Sequence, residues 1–115
     1  MNFDFLFWCY THIGWSLSTF GPPEERGPLG PIDHLKKEVA EFEKEAIKDY
    51  TSDDFLEEAT DLIHLVVDAV WRAGHTPMGF FKMLIFKQKK NIGREWPDWR
   101  SAPKDTAIEH VRTAG

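Results

Sequence analysis

The chain has a single cysteine, no basic leader and no apolar run long enough to cross a bilayer, and each of these absences removes a class of protein. Cys9 is the one cysteine in 115 residues, so no internal disulfide forms and a reducing compartment fits. Its expected role is a small core residue rather than a reactive thiol. The opening Met1-Asn2-Phe3-Asp4 is acidic where a secretion signal requires positive charge. The later apolar run is broken by His64 and Asp68 before it spans a membrane. Cytoplasm is therefore the expected location, with no membrane partner. Positive charge is also in deficit: a net charge of -5 argues against a broad nucleic-acid surface. A second Glu-x-x-His helix is missing too. Asp61-x-x-His64 is only half of the ligand set of a di-iron carboxylate bundle, and His64 reads instead as a polar core or supporting histidine.

What is present is helical. The length suits one domain over 1–115. Phe3, Phe5, Leu6, Trp8, Cys9, Ile13, Trp15 and Leu17 are too irregular for a strand and predict a helix from 3 to about 19. Three glycines and four prolines between Gly21 and Pro31 make a loop, either a plain connector or a lid. Asp33 is placed to cap a second helix, whose apolar stripe is Leu35, Val39, Phe42 and Ala46. Thr51-Ser52-Asp53-Asp54 ends that helix and starts a third over 54–74, closed by Gly74. The third helix is apolar around most of its circumference, and Leu65 stands even among its acids. It is therefore expected to be central, covered by the other helices and by a second subunit. Thr76-Pro77 opens a fourth helix anchored by Phe80, Phe81, Leu84 and Ile85. Its basic second half carries Lys87, Asn91 and Arg94 on one face, up to Trp96-Pro97. The tail 101–115 is weakly patterned and is expected to order only by docking. Five tryptophans exceed what so small a core needs, so some should line a pocket or a subunit contact.

The chemistry concentrates in Glu38 with Glu41 and in Glu58 with Asp61. Each pair is spaced i,i+3, so its members share a helix face, and two such helices side by side gather four carboxylates. Such a cluster cannot stay fully ionised without a countercharge, and hard oxygen ligands select Mg2+, or Mn2+ as a substitute. The alternative is an ordinary solvated acidic face. Likewise Lys87, Asn91 and Arg94 read either as an anion site or as cations placed at a helix C-terminus by its dipole. Trp15, with His12 and Ser16 on the same helix, reads either as a flat surface for a base or as core.

Several segments in order carry a more specific signal. They are His12-Ile13-Gly14-Trp15-Ser16, Thr19-Phe20-Gly21, Asp33 to Glu38, Leu56 to Gly74, Lys87 to Asn91, Arg94-Glu95-Trp96-Pro97-Asp98-Trp99-Arg100, and Ile108 to Arg112. Over residues 12 to 112 the chain resembles the MazZ-type dATP/dGTP pyrophosphohydrolases, many of them phage-encoded, of the MazG and all-α nucleoside triphosphate pyrophosphohydrolase superfamily. The resemblance implies an all-α, MazG-like bundle of about four helices assembled into a dimer or tetramer. It implies hydrolysis of a purine deoxynucleoside triphosphate to monophosphate and pyrophosphate, in the host cytoplasm if phage-encoded. By it Mg2+ is held by Glu38, Glu41, Glu58 and Asp61, with Glu41 orienting the attacking water. Lys87, Asn91 and Arg94 bind the triphosphate, and Asp68 is a further ligand or a support to one. Relatives associated with 2-aminoadenine genomes imply dGTP as the substrate. Asp68-Ala69-Val70-Trp71 departs from the family's usual Asp-Gly-Ala-Trp, implying slightly different helix packing, and the loop over 21–31 is richer in proline. A non-catalytic helical interaction module is the remaining alternative.

Overall fold

The computed structural model describes residues 4–112; Phe3 of the expected first helix, the opening Met1-Asn2 and tail residues 113–115 lie outside the described residues. The described chain is all-helical: α1 (Phe5–Phe20), α2 (Leu29–Asp49), α3 (Asp53–Arg72) and α4 (Pro77–Ile92), followed by a short 3-10 turn at Trp99–Ser101. By its internal contacts the chain groups into two compact units, Met1–Phe80 and Phe81–Gly115.

In the first unit Asp4 caps α1, its carboxylate accepting from the amides of Leu6 and Phe7 at 3.0 and 3.1 Å. Gly21, with φ of 92°, ends the helix in a backbone conformation closed to most residues. The second helix begins at Leu29 rather than beyond Asp33. Pro31 sits in its first turn, where a missing amide hydrogen costs nothing, so Pro31 belongs to the helix and Asp33 is not its cap. Ser52 caps α3 by accepting from the Phe55 amide at 3.1 Å. Gly74, with φ of 100°, lies one residue past the α3 C-cap. The amides of Gly74 and His75 there bond back to the carbonyls of Trp71 and Val70, the Schellman closure.

As its composition suggested, α3 is the helix against which both α1 and α2 pack. Phe42 of α2 stacks on Phe55 of α3 with ring centres 4.7 Å apart, and Cys9 and Val67 are the buried apolar residues at the α1–α3 contact. Burial pushes the Cys9 thiol pKa up, which keeps it protonated. Much of α3 remains open: Leu56 is 61% exposed and Ile63 56%. Val39, expected in the stripe of α2, is half exposed as well.

Four polar residues complete the interior: His12, Ser16, Asp68 and Arg72. Arg72 is 4% exposed. Its Nε donates to Asp68 Oδ2 at 3.2 Å, and Nη2 to the Ser16 hydroxyl and carbonyl at 2.8 and 3.1 Å. Its Nη1 donates to the carbonyls of Gly21 and Arg26 at 3.1 and 2.8 Å. One guanidinium thereby fastens α1 and the proline-rich segment, at Gly21 and Arg26, to α3.

In the second unit α4 ends at Ile92, short of Trp96-Pro97, and the chain turns at Gly93. Arg94 thus lies past the helix, yet its Nη1 donates to Asn91 Oδ1 at 3.0 Å. The Trp96 indole N–H reaches the Asn91 carbonyl at 2.7 Å. The described part of the tail returns here: the Val111 amide donates to the Glu95 carbonyl at 2.8 Å, and the His110 ring meets the Trp96 edge at 5.9 Å.

Removing one partner of a buried ion pair leaves the other charged in an apolar surround. Arg72→Met should therefore lower unfolding free energy by about 3–5 kcal/mol, measured by urea denaturation. The double change Asp68→Asn with Arg72→Met should cost distinctly less than Arg72→Met alone.

Candidate active site

Adjacent turns of α2 and α3 bring Glu38, Glu58 and Asp61 together, one oxygen from each lying within 4.8 Å of the others. Glu58 is the strained member. Its Oε2 is buried with no hydrogen-bond partner among the described residues. Its carboxyl pKa is pushed up to about 7, first by the hydrogen bond it shares with Glu38, then by burial, and then by the charges of Glu38, Asp61 and Glu41. Glu41, the fourth expected carboxylate, is exposed and outside the trio, but its charge reaches Glu58. His34 Nε2 lies 3.1 Å from Glu38 Oε1 and steadies that side chain.

Hard oxygen donors with one buried oxygen unanswered fit a divalent cation.

Glu38 and Asp61 also line a cavity of about 550 Å3 whose other walls are aromatic, including Trp8, Trp15, Phe20 and His64. Trp15 is 55% exposed and meets Phe20 edge-on at 5.4 Å. The rings of Trp8 and His64 stand 5.2 Å apart. His64, read as a polar core or supporting histidine, is an exposed residue of the cavity wall: its Nδ1 bonds the Thr60 carbonyl at 2.8 Å and its ring stands beside Trp8. Leu65, out of place on a solvated face, is a wall of this cavity.

The expected pair His12 and Ser16 is turned inward. Ser16 is fully buried, and its hydroxyl accepts from Arg72 and donates to Asp68, so its place is behind the cavity wall. His12 Nε2 donates to Asp68 Oδ1 at 3.0 Å while the ring still lines the cavity. Trp71 Nε1 donates to the same oxygen at 2.8 Å. Burial pushes the Asp68 pKa up, but bonds from Ser16, Trp71 and His12 and the Arg72 charge outweigh it and hold the carboxyl below its ordinary range. With donors on both oxygens, Asp68 supports the site rather than presenting a free ligand atom.

In the second unit, Lys87 and Arg94 are close enough that the Arg94 charge, then burial, then Lys90 depress the Lys87 pKa. Asn91 stands between them through its bond to Arg94. The expected trio is thus brought together.

Arg72, Trp8, Phe20 and His34 were not singled out from the sequence as site residues. For Arg72 a signal existed: His12 with Ser16 on α1 and Asp68 with Arg72 on α3 are both i,i+4 polar pairs on otherwise apolar faces.

Helices that set clustered carboxylates beside an aromatic cavity, with no strand among the described residues, are the build of the all-α nucleoside triphosphate pyrophosphohydrolases. A family model described as dATP/dGTP pyrophosphohydrolase matches residues 8–114, and the chain belongs to that family. No curated protein and no solved structure matches it.

The Glu58 shift sets a pH dependence. Its carboxyl is raised from an ordinary 4.5 to about 7 in the folded chain, so the folded state holds the proton more tightly than the unfolded state. The resulting stabilisation is complete below the ordinary pKa and is lost as pH rises through the raised one. In EDTA, Glu58→Gln should melt above the parent at pH 8.5 and no higher at pH 4. Mg2+ should raise the parent's melting temperature more at pH 8.5 than at pH 5.5, and raise that of Glu58→Gln little. Parallel pH curves for the two proteins would remove Glu58 from the cluster.

Proposed function

We propose that the chain hydrolyses a purine deoxynucleoside triphosphate, dGTP in the first place, to the monophosphate and pyrophosphate, as the MazZ-type enzymes it resembles do. The observation that carries this reading is one cavity walled by tryptophan and phenylalanine at one part and by Glu38 and Asp61 at another. A purine needs flat apolar walls, and a triphosphate needs a hard cation. Glu38, Glu58 and Asp61 would hold Mg2+, or Mn2+ in its stead, with Glu41 beside them. When bound, the cation neutralises phosphate oxygens and makes a coordinated water acidic. Exposed and next to the trio, Glu41 is the carboxylate free to orient that water and accept its proton. Trp15 stacks on the base; His12, held by Asp68, gives the edge of the cavity a fixed polar atom. Lys87, Asn91 and Arg94 receive the phosphate chain, the guanidinium offering two parallel donors. The dGTP preference rests on the resemblance to phage-encoded relatives that serve 2-aminoadenine genomes, and the host cytoplasm would then be the place of action.

Incubation with Mg2+ and a panel of nucleoside triphosphates, with monophosphate, diphosphate, pyrophosphate and phosphate resolved, tests the reaction. The expected products are dGMP and pyrophosphate; diphosphate with free phosphate would overturn it. Trp15→Leu in the same assay should raise KM and lower the ratio of kcat/KM for dGTP over dCTP, with little loss of thermal stability. An unchanged ratio in a folded protein would take Trp15 out of the site.

We also propose that copies of the chain pair through α3. Leu56 and Ile63 lie open on a helix that packs against α1 and α2, and exposed apolar area of this kind marks an interface. Light scattering at micromolar protein should give a dimer or tetramer, and Ile63→Glu should shift it toward monomer.

A further inference from the structure

Residues 81–112 hold eight lysines and arginines against four carboxylates. Arg100 is answered by Asp98 at 3.3 Å. Lys87, Lys90, Arg94 and Arg112 form no ion pair among the described residues. The tail increases this concentration. Trp96, fastened by its indole to the Asn91 carbonyl, gives His110 an aromatic edge at 5.9 Å, and the Val111 amide is fixed to Glu95 at 2.8 Å. His110 and Arg112 are thereby carried back toward the C-terminal end of α4, where Lys87 lies on the helix and Arg94 just past it.

We propose that the strap over 108–112 is part of an anion site, with His110 and Arg112 joining Lys87, Asn91 and Arg94 around a polyphosphate chain. The inference rests on the reading of Lys87, Asn91 and Arg94 as phosphate-binding, and it adds residues to which no role was given. Three cations in one place, Lys87, Arg94 and Arg112, oppose folding unless a ligand of opposite sign is selected for. The strain is visible: burial first, then the charges of Arg94, Arg112 and Lys87, hold the His110 pKa below its ordinary value, against a small opposing pull from Glu109. Docking the strap in this position costs electrostatic energy that a simple C-terminal anchor would avoid. A triphosphate supplies several oxygens and the charge to answer the cluster.

The test uses the full chain with inorganic triphosphate as a competitive inhibitor of deoxynucleoside triphosphate hydrolysis. Arg112→Gln and His110→Gln should each raise the inhibition constant and the substrate KM about threefold to tenfold, with kcat falling less than KM rises. Arg112→Lys should restore most of the loss, which a structural role in the strap would not require. Lys87→Gln separates the two layers of the argument. If it raises the inhibition constant while both strap variants leave it unchanged, the phosphate reading stands and the strap is excluded. If all three leave it unchanged, both fall. Loss of single-stranded DNA binding in the strap variants, with triphosphate inhibition intact, would overturn the proposal in favour of a nucleic-acid surface.

Discussion

The first unit depends on one buried guanidinium. Arg72 is the only group among the described residues that reaches α1, the proline-rich segment and α3 together, and every partner it has there is an oxygen. A buried cation of this kind is a poor source of net stability, because desolvation offsets much of what its bonds return. What it supplies is position. The Gly21 and Arg26 carbonyls are accepted into its fork, so the segment from Gly21 to Arg26 is held where a longer apolar side chain would leave it free to move. The apolar alternative is weak in this chain, since Cys9 and Val67 are the fully buried apolar residues. Polar geometry does the orienting that dense packing does elsewhere.

That geometry is inherited by the site. Asp68, charged because Ser16, Trp71, His12 and Arg72 all favour its ionised form, holds the His12 ring by Nε2 at the cavity wall. Phe20 lies one residue before Gly21, whose carbonyl Arg72 holds, and Trp15 meets Phe20 edge-on. The aromatic walls are therefore set by the same network that joins the helices. Glu38, Glu58 and Asp61 are treated in the opposite way: they are crowded, the Glu58 carboxyl is pushed up to about 7, and its Oε2 has no hydrogen-bond partner among the described residues. Asp68 is satisfied from within the chain and Glu58 is not, so the two carboxylates differ in kind although both lie on α3.

The sequence disclosed what depends on spacing. Helix-period acids placed Glu38 beside Glu58 and Asp61, Leu65 was marked by its incongruity, and Ser52, Gly74 and Thr76-Pro77 carried their boundaries in their side chains or backbone freedom. It misjudged what depends on where the chain returns. Pro31 looked like a breaker because a proline in a first turn and one in a loop are alike in composition. That Ser16 is turned away from the cavity was not legible, because nothing local shows that Asp68, some 50 residues away, takes its hydroxyl. Arg72 drew no reading from the sequence, and only the fold reveals five oxygens converging on it. The strap over 108–112 has almost no apolar pattern, and its docking rests on one backbone bond and one ring contact.

Net charge misleads for a related reason. The value of -5 conceals two opposite populations: fifteen carboxylates against six cations up to Phe80, and eight cations against four carboxylates beyond it. Within the first population crowding pushes the Glu58 carboxyl up to about 7, and within the second the Arg94 charge holds Lys87 below its ordinary range. Each surplus is of one sign and acts within its own unit, so the summed charge describes neither surface and each must be read by itself.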